Sequence, residues 1–252
     1  MVSKSSANRA RRERLEEIRR QQRAKERRRT LLVAGICGLI VLAVVGATAF
    51  ELIEDKRSET ALKDTRVADL GVSASTASCS REQRTDGTGQ GQHVTTHVIY
   101  DRTPPDHGAH WVQPADQGIH IYSAADRPEV ERLVHNLEHG WTIVWYDENA
   151  AKDATQMAAL KKLASVYDFH KSDPRYNLIV APWTKADIKT FPAGKHVVFT
   201  HWSVGGDWKN STKKNVKSTG VSVDCAKFSG DVLAKFLAKY PYDDAPEAYL
   251  WH

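Results

Sequence analysis

The stretch Leu133-Val134-His135-Asn136-Leu137-Glu138-His139-Gly140 decides how the rest of the chain is read. At roughly 100° per residue, a helix places His135 and His139 about 40° apart around its axis and Glu138 about 60° to one side, so the three share a face. Val130, Leu133, Val134 and Leu137 follow the i, i+3, i+4, i+7 spacing of a core-facing stripe, which points nearly the opposite way. The helix therefore seats itself by its apolar stripe and turns two imidazoles and a carboxylate toward solvent or toward a covering segment. Gly140 stops it before a strand-like run, residues 141–146.

Downstream of that helix, strand and helix patterns alternate. An amphipathic helix over residues 154–167 carries Met157, Leu160, Leu163 and Ala164 inward, strands follow at 176–181 and 195–203, and a last helix at 229–240 buries Val232, Phe236 and Leu237. Residues 205–220, with Lys209, Lys213, Lys214 and Lys217, lack apolar periodicity and read as an exposed loop. Upstream, a Gly-rich turn at 85–91 leads to a strand at 93–100 and then to the loop Thr103-Pro104-Pro105-Asp106-His107-Gly108-Ala109-His110-Trp111. Two prolines stiffen this loop and Gly108 permits a sharp turn, so His107 and His110 have little entropy left to lose. In 118–122, Ile119 and Ile121 alternate with His120 and Tyr122 as in a half-buried strand. Pro128 suits the first turn of the central helix, with Asp126 as its cap. No repeat is visible. The order predicts an α+β (mixed α/β) fold, one compact domain with a mixed sheet over residues 79–252.

The front of the chain is of another kind. Its first 30 residues hold 12 Lys/Arg against 4 Asp/Glu, a formal +8, so the other 222 residues carry −3 of the chain's +5. A basic arm of this kind is also found on nucleic-acid-binding proteins, but here an uncharged, apolar run of 20 residues follows, from Leu31 through to Phe50, long enough to span a lipid bilayer. No nucleic-acid partner is expected. Arg27, Arg28 and Arg29 abut the run and hold residues 1–30 in the cytoplasm as a basic arm against anionic lipid, which places everything after Phe50 outside. The competing reading is a cleaved signal peptide, because Ala47-Thr48-Ala49 has the small-x-small form, although the apolar run is longer than a signal core. Residues 51–78, mixed in charge and without apolar period, read as a stalk.

Cysteine usage agrees with export. Cys37 lies inside the apolar run, which leaves Cys79 and Cys225 to form one disulfide in an oxidising compartment. Closing so long a loop is worth up to about 5 kcal/mol in the chain-entropy model. A redox pair or thiolate metal site would have the close Cys-x-x-Cys spacing that is absent here.

His135-Asn136-Leu137-Glu138-His139 fits H-x-x-E-H, the pattern with which one class of zinc peptidases supplies two metal ligands and a general base. That chemistry needs a third protein ligand and an open coordination position, and the downstream acids Asp153 and Asp187 have no obvious ligand context. A metal site without peptidase activity asks less: the stiff loop lays His107 or His110 over the helix, and three or four nitrogens with Glu138 suit a divalent transition metal such as Zn, or Cu or Ni. In the structural alternative, His135, Glu138 and His139 hydrogen-bond the loop and the neighbouring strand without any ion, in an envelope interaction module. The sequence has no phosphate-binding Gly loop, no G-x-S-x-G elbow and no cysteine nucleophile context. Trp183, Trp202, Trp208 and Trp251 fit a core as readily as a binding groove.

Several of these elements together resemble a known pattern: Pro104-Pro105-Asp106-His107-Gly108-Ala109-His110-Trp111, residues 118–122, residues 134–140, residues 141–146, and the weaker echoes Trp202 and Ala245-Pro246-Glu247. Over residues 91–247 the chain resembles domain of unknown function family 3105. Members of that family look like single-span bacterial envelope proteins, which implies the same topology. The family loop usually reads Pro-Pro-Thr-Ser-Gly-Pro-His, so Asp106, His107 and Ala109 depart from it while Gly108 and His110 keep it. The resemblance therefore favours His110 over His107 as a ligand and transfers no activity. Candidate ligands are His110, His135, Glu138 and His139, with Glu138 catalytic only in a metallohydrolase.

Overall fold

The computed structural model describes residues 4–205 and 217–248. The chain divides into two compact units, Met1–Thr60 and Ala61–His252. The first is built on α1 (Lys4–Lys63), whose central part carries a window of mean hydropathy 2.6 with none of it buried. Length and composition make this helix sufficient to cross a membrane.

The second unit holds a five-stranded mixed sheet. Short α2 (Ala74–Ala77) precedes β1 (Gln83–Asp86); then come β2 (His93–Val94), β3 (His110–Trp111), α3 (Val130–Glu138), β4 (Thr142–Tyr146), α4 (Glu148–Lys152), α5 (Ala154–Phe169), β5 (Leu178–Pro182), β6 (Val197–Ser203), β7 (Thr219–Cys225) and α6 (Gly230–Lys239). The sheet order is β1-β7-β6-β4-β5, with β4 and β5 parallel and the other pairs antiparallel. A parallel pair needs a crossover, and α4 and α5 supply it. β2 and β3 form a separate two-stranded parallel ribbon.

Both faces of the sheet are covered, so its strands read as apolar runs with the period of 2 hidden. Val144, Val180, Val197, Phe199 and Val223 face α5 and α6, where Leu160, Leu163, Phe228, Leu233 and Phe236 close one core. Ile143, Trp145, Ile179, Ala181, Val198 and Trp202 face the other way, against Leu133, Val134 and Leu137 of α3. The apolar stripe of α3 thus fixes the helix on the second face and sets the direction of its histidines. Cys79 and Cys225 are bonded, 146 residues apart, at the edge of the first core.

Several elements differ from the sequence reading, each for an identifiable reason. The strand expected at 93–100 pairs only at His93–Val94, because the Val98 amide is taken by the Glu131 carboxylate at 2.8 Å. Residues 118–122 make one isolated parallel bridge, Ile121 with Val180, and the faces are reversed: His120 and Tyr122 are buried while Ile119 is exposed. His120 can turn inward because its Nδ1–H donates to the Leu178 carbonyl at 2.7 Å and its ring stacks on Trp141. Asp126 does not cap α3, which starts at Val130; its carboxylate takes the Ser123 amide and hydroxyl at 2.6 and 2.7 Å. In α6, Leu233 and Phe236 carry the deep burial and Val232 and Leu237 only flank it.

The segment read as a stalk also contributes to the domain. Val67 and Leu70 pack on the first core, the Val72 amide donates to Phe228 at 2.9 Å, and Gly71 at φ +75° has no room for a Cβ beside that carbonyl. Of the lysine-rich loop, Lys209, Lys213 and Lys214 lie outside the described residues, as do Trp208 and Trp251; Lys217 is exposed, and Thr219 and Gly220 already belong to β7. Trp183 and Trp202 are core residues.

Candidate metal centre

The polar face of α3 is nearly as buried as its apolar stripe: His135, Glu138 and His139 are each 4–5% exposed. Two segments cover it. From one side comes the β2–β3 ribbon, in which His93 and His110 lie in register and the His110 amide donates to Gln92 at 3.0 Å. From the other comes the carboxy-terminal segment, where the Glu247 amide donates to the Glu138 carbonyl at 2.9 Å. Gly140 makes that approach possible. It sits at φ +85°, and a Cβ there would lie 1.8 Å from the Tyr242 carbonyl oxygen. Gly91 performs the same service for the ribbon, since a Cβ on it would meet a Glu138 carboxylate oxygen at 2.2 Å.

Three imidazoles then meet around Glu138, each anchored alike. His135 Nδ1–H donates to the Trp111 carbonyl at 2.6 Å, His139 Nδ1–H to the Glu247 carbonyl at 3.2 Å, and His110 Nδ1–H to the Gly108 carbonyl at 2.9 Å. A carbonyl only accepts, so Nδ1 carries the proton in each ring and Nε2 presents a lone pair. The His135 and His139 Nε2 atoms lie 2.7 Å apart, and His110 Nε2 lies 2.9 Å from Glu138 Oε2. At such separations lone pairs repel one another and repel a carboxylate, and a cation bound to them removes the repulsion. His110 Nε2 is fully buried and has no hydrogen-bond partner of acceptable geometry. An orphaned nitrogen beside a carboxylate is costly in a protein interior unless something else occupies its lone pair.

Burial acts in the same direction on the proton equilibria. Desolvation pushes the His135 imidazole down to about 4, with the neighbouring His139 and His110 adding to the effect, and it lowers His139 as well. Neutral imidazole is the ligand form, so these rings are ready to bind a metal at neutral pH without first losing a proton. Glu247 moves the other way, raised first by burial and then by the charge of Glu138.

The structure thus brings together the four residues that the sequence singled out, His110, His135, Glu138 and His139. It leaves His107 aside, with its Nδ1 2.7 Å from Asp106 Oδ1. It also adds two residues that sequence reasoning missed. His93 stacks on His135 with ring centroids 5.2 Å apart and meets His110 edge-on at 5.0 Å, while Glu247 Oε2 lies 3.9 Å from His139 Nε2. Register across a two-residue ribbon brought in the first and a contact spanning 108 residues the second, and neither leaves a local pattern. Asp153 and Asp187 are elsewhere: Asp153 caps α5, and Asp187 pairs with Arg127 at 2.7 Å.

No match was found among curated proteins or among solved structures. The family model described as "Protein of unknown function (DUF3105)" matches residues 93–249, a span that holds all six of these side chains and more than half of the chain, and the chain belongs to that family.

Proposed function

We propose that this protein is a single-pass membrane protein whose extracytoplasmic domain binds a divalent transition metal, zinc for example, through His110, His135, His139 and Glu138. The observation that carries the reading is the common anchoring of the three rings. Each gives Nδ1–H to a main-chain carbonyl and turns Nε2 toward another donor of the cluster, the outer-shell arrangement that fixes the tautomer of metal-binding histidines. Imidazole donors with one carboxylate suit zinc, copper or nickel better than calcium or magnesium. The 2.9 Å approach of Glu138 Oε2 to His110 Nε2 supports counting this carboxylate among the ligands.

The apolar stretch of α1 supports anchoring in a bilayer, and the arginines before it support a cytoplasmic amino terminus. The Cys79–Cys225 disulfide suits a domain outside the cytoplasm. Elemental analysis of the full chain, purified in detergent before and after chelation, tests the metal. Stoichiometric transition metal should be present, removable by chelator and restored by Zn2+. His135→Ala and His139→Ala should each abolish the uptake, while His170→Ala, whose ring stacks on Tyr176 away from the cluster, should not. A well-folded chain that takes up no metal under any of these conditions would leave the cluster as a structural element of an interaction module.

A further inference from the structure

We propose that the cluster takes two adjacent divalent cations bridged by the Glu138 carboxylate; this rests on the metal-binding reading above and goes beyond it in number and geometry. Six donor side chains gather here, four imidazoles and two carboxylates, whereas a single zinc ion takes about four protein ligands. They fall into two sets. In one, His93, His110, His135 and Glu138 place ligand atoms within 4.8 Å of one another; in the other, Glu138, His139 and Glu247 do. Around one ion with bonds near 2.1 Å, the widest separation between two donors is about 4.2 Å, across the metal. Six donors divided in this way exceed one coordination sphere and match two joined by one bridging carboxylate.

Glu138 is the group common to both sets among the described residues. Its two oxygens suit it to bridging, and paired catalytic metals lie about 3.5–4 Å apart. The His135 and His139 Nε2 atoms, 2.7 Å apart, mark where the sets meet, one ring belonging to each. Two carboxylates against two dications leave net positive charge in a buried pocket, which four neutral imidazoles disperse by coordination. The cluster has a ligand signal beyond the count of its donors: the fully buried Nε2 of His110 makes no hydrogen bond of acceptable geometry, even with Glu138 Oε2 2.9 Å away. Solvent reaches the cluster from the sides of exposed His93 and of Glu247, whose side chain is 36% exposed, and the set of Glu138, His139 and Glu247, with three side chains, leaves a position for water or for an anionic oxygen ligand.

The full chain in detergent, stripped by chelation and reloaded with Zn2+ alone, should hold two equivalents per chain by elemental analysis. Glu247→Gln should hold one, and His170→Ala should still hold two. Loaded with Co2+ instead, the wild-type protein should give the electron paramagnetic resonance signature of a coupled pair, and Glu247→Gln that of an isolated ion. One zinc equivalent in the wild type would overturn the pair and leave the metal-binding reading standing, whereas none would overturn both. Two equivalents with magnetically independent Co2+ would place the second ion elsewhere and also overturn the proposal, as would Glu247→Gln retaining two coupled ions.

Discussion

Two buried histidine sites in this domain differ in what they leave unsatisfied. On the α5–α6 side, His201 is fully buried, yet its Nε2–H donates to the Asp244 carbonyl at 3.0 Å and its Nδ1 accepts from the Thr142 hydroxyl at 3.1 Å. Burial lowers its proton affinity, and both ring nitrogens of the neutral form are matched. On the α3 side, His110 is equally buried and only Nδ1 is matched, while Nε2 faces a carboxylate. A buried polar group without a partner costs roughly 1–3 kcal/mol, so a fold that keeps one beside other converging donors retains it for something that the protein alone does not supply. His110 and His201 are equally buried; His110 differs in having an unmatched Nε2 that faces other converging donors, which the equally unmatched Nε2 of His120 does not.

The largest effect expected from this contrast is chemical. His110→Leu should lower zinc affinity by about 100-fold or more while leaving the metal-free melting temperature little changed, since removal of the unsatisfied Nε2 offsets the lost bond to the Gly108 carbonyl. His201→Leu should do the reverse, keeping zinc and costing about 2–4 kcal/mol by chemical denaturation, because Thr142 and Asp244 lose a shared partner. Zinc titration and urea unfolding of both variants would break the comparison if the two behaved alike.

Reduction of Cys79–Cys225 should cost about 2–5 kcal/mol, the bridge closing a long loop at the edge of the core that contains neither His110 nor His135. Zinc uptake by the reduced, still folded domain should be unchanged, and a loss of uptake would show that the two faces of the sheet are coupled.

Acid should separate metal-free from zinc-loaded protein. In the folded metal-free chain His135 titrates at about 4, below its ordinary 6.5, so between these values the unfolded chain binds more protons and stability falls as pH falls. Stability is fully present above about 6.5, and the His135 contribution, on the order of 3 kcal/mol, is lost toward pH 4. His139 and His201 are lowered too and add to the loss. Urea midpoints measured from pH 7.5 to pH 4 should therefore decline, and a flat profile for the metal-free protein would contradict burial of these rings in neutral form. The smallest effect belongs to Thr142→Val, which strips one donor from His201 Nδ1 and should cost about 1 kcal/mol with no change in zinc uptake.

Much of the frame was legible because it depends on local periodicity. The stripe of α3, the helices α5 and α6, and the strands β4, β5 and β6 each announce themselves within a dozen residues, as does the long apolar stretch of α1. β7 did not. Its sequence Thr-Gly-Val-Ser-Val-Asp-Cys places Asp224 in the interior, a position tolerated only because Arg102 and Gln83, far away in the chain, reach its carboxylate. The reversed faces of 118–122 have the same origin, since His120 prefers the inside once the Leu178 carbonyl is there to accept a hydrogen bond from its Nδ1–H.

For the site the division is similar. By itself the sequence determined that His135, Glu138 and His139 share one side of a helix, because helical geometry turns spacing into direction. It also determined that a stiff loop would hold His110, because proline and glycine restrict a backbone wherever they occur. Only the tertiary structure decided that the polar face is buried rather than wet, that His93 and Glu247 join it, and that each ring's proton is held on the outer nitrogen. Those facts depend on which carbonyls and chain segments arrive from tens of residues away, and hydrogen-bond partners at that distance leave no periodic trace in a sequence.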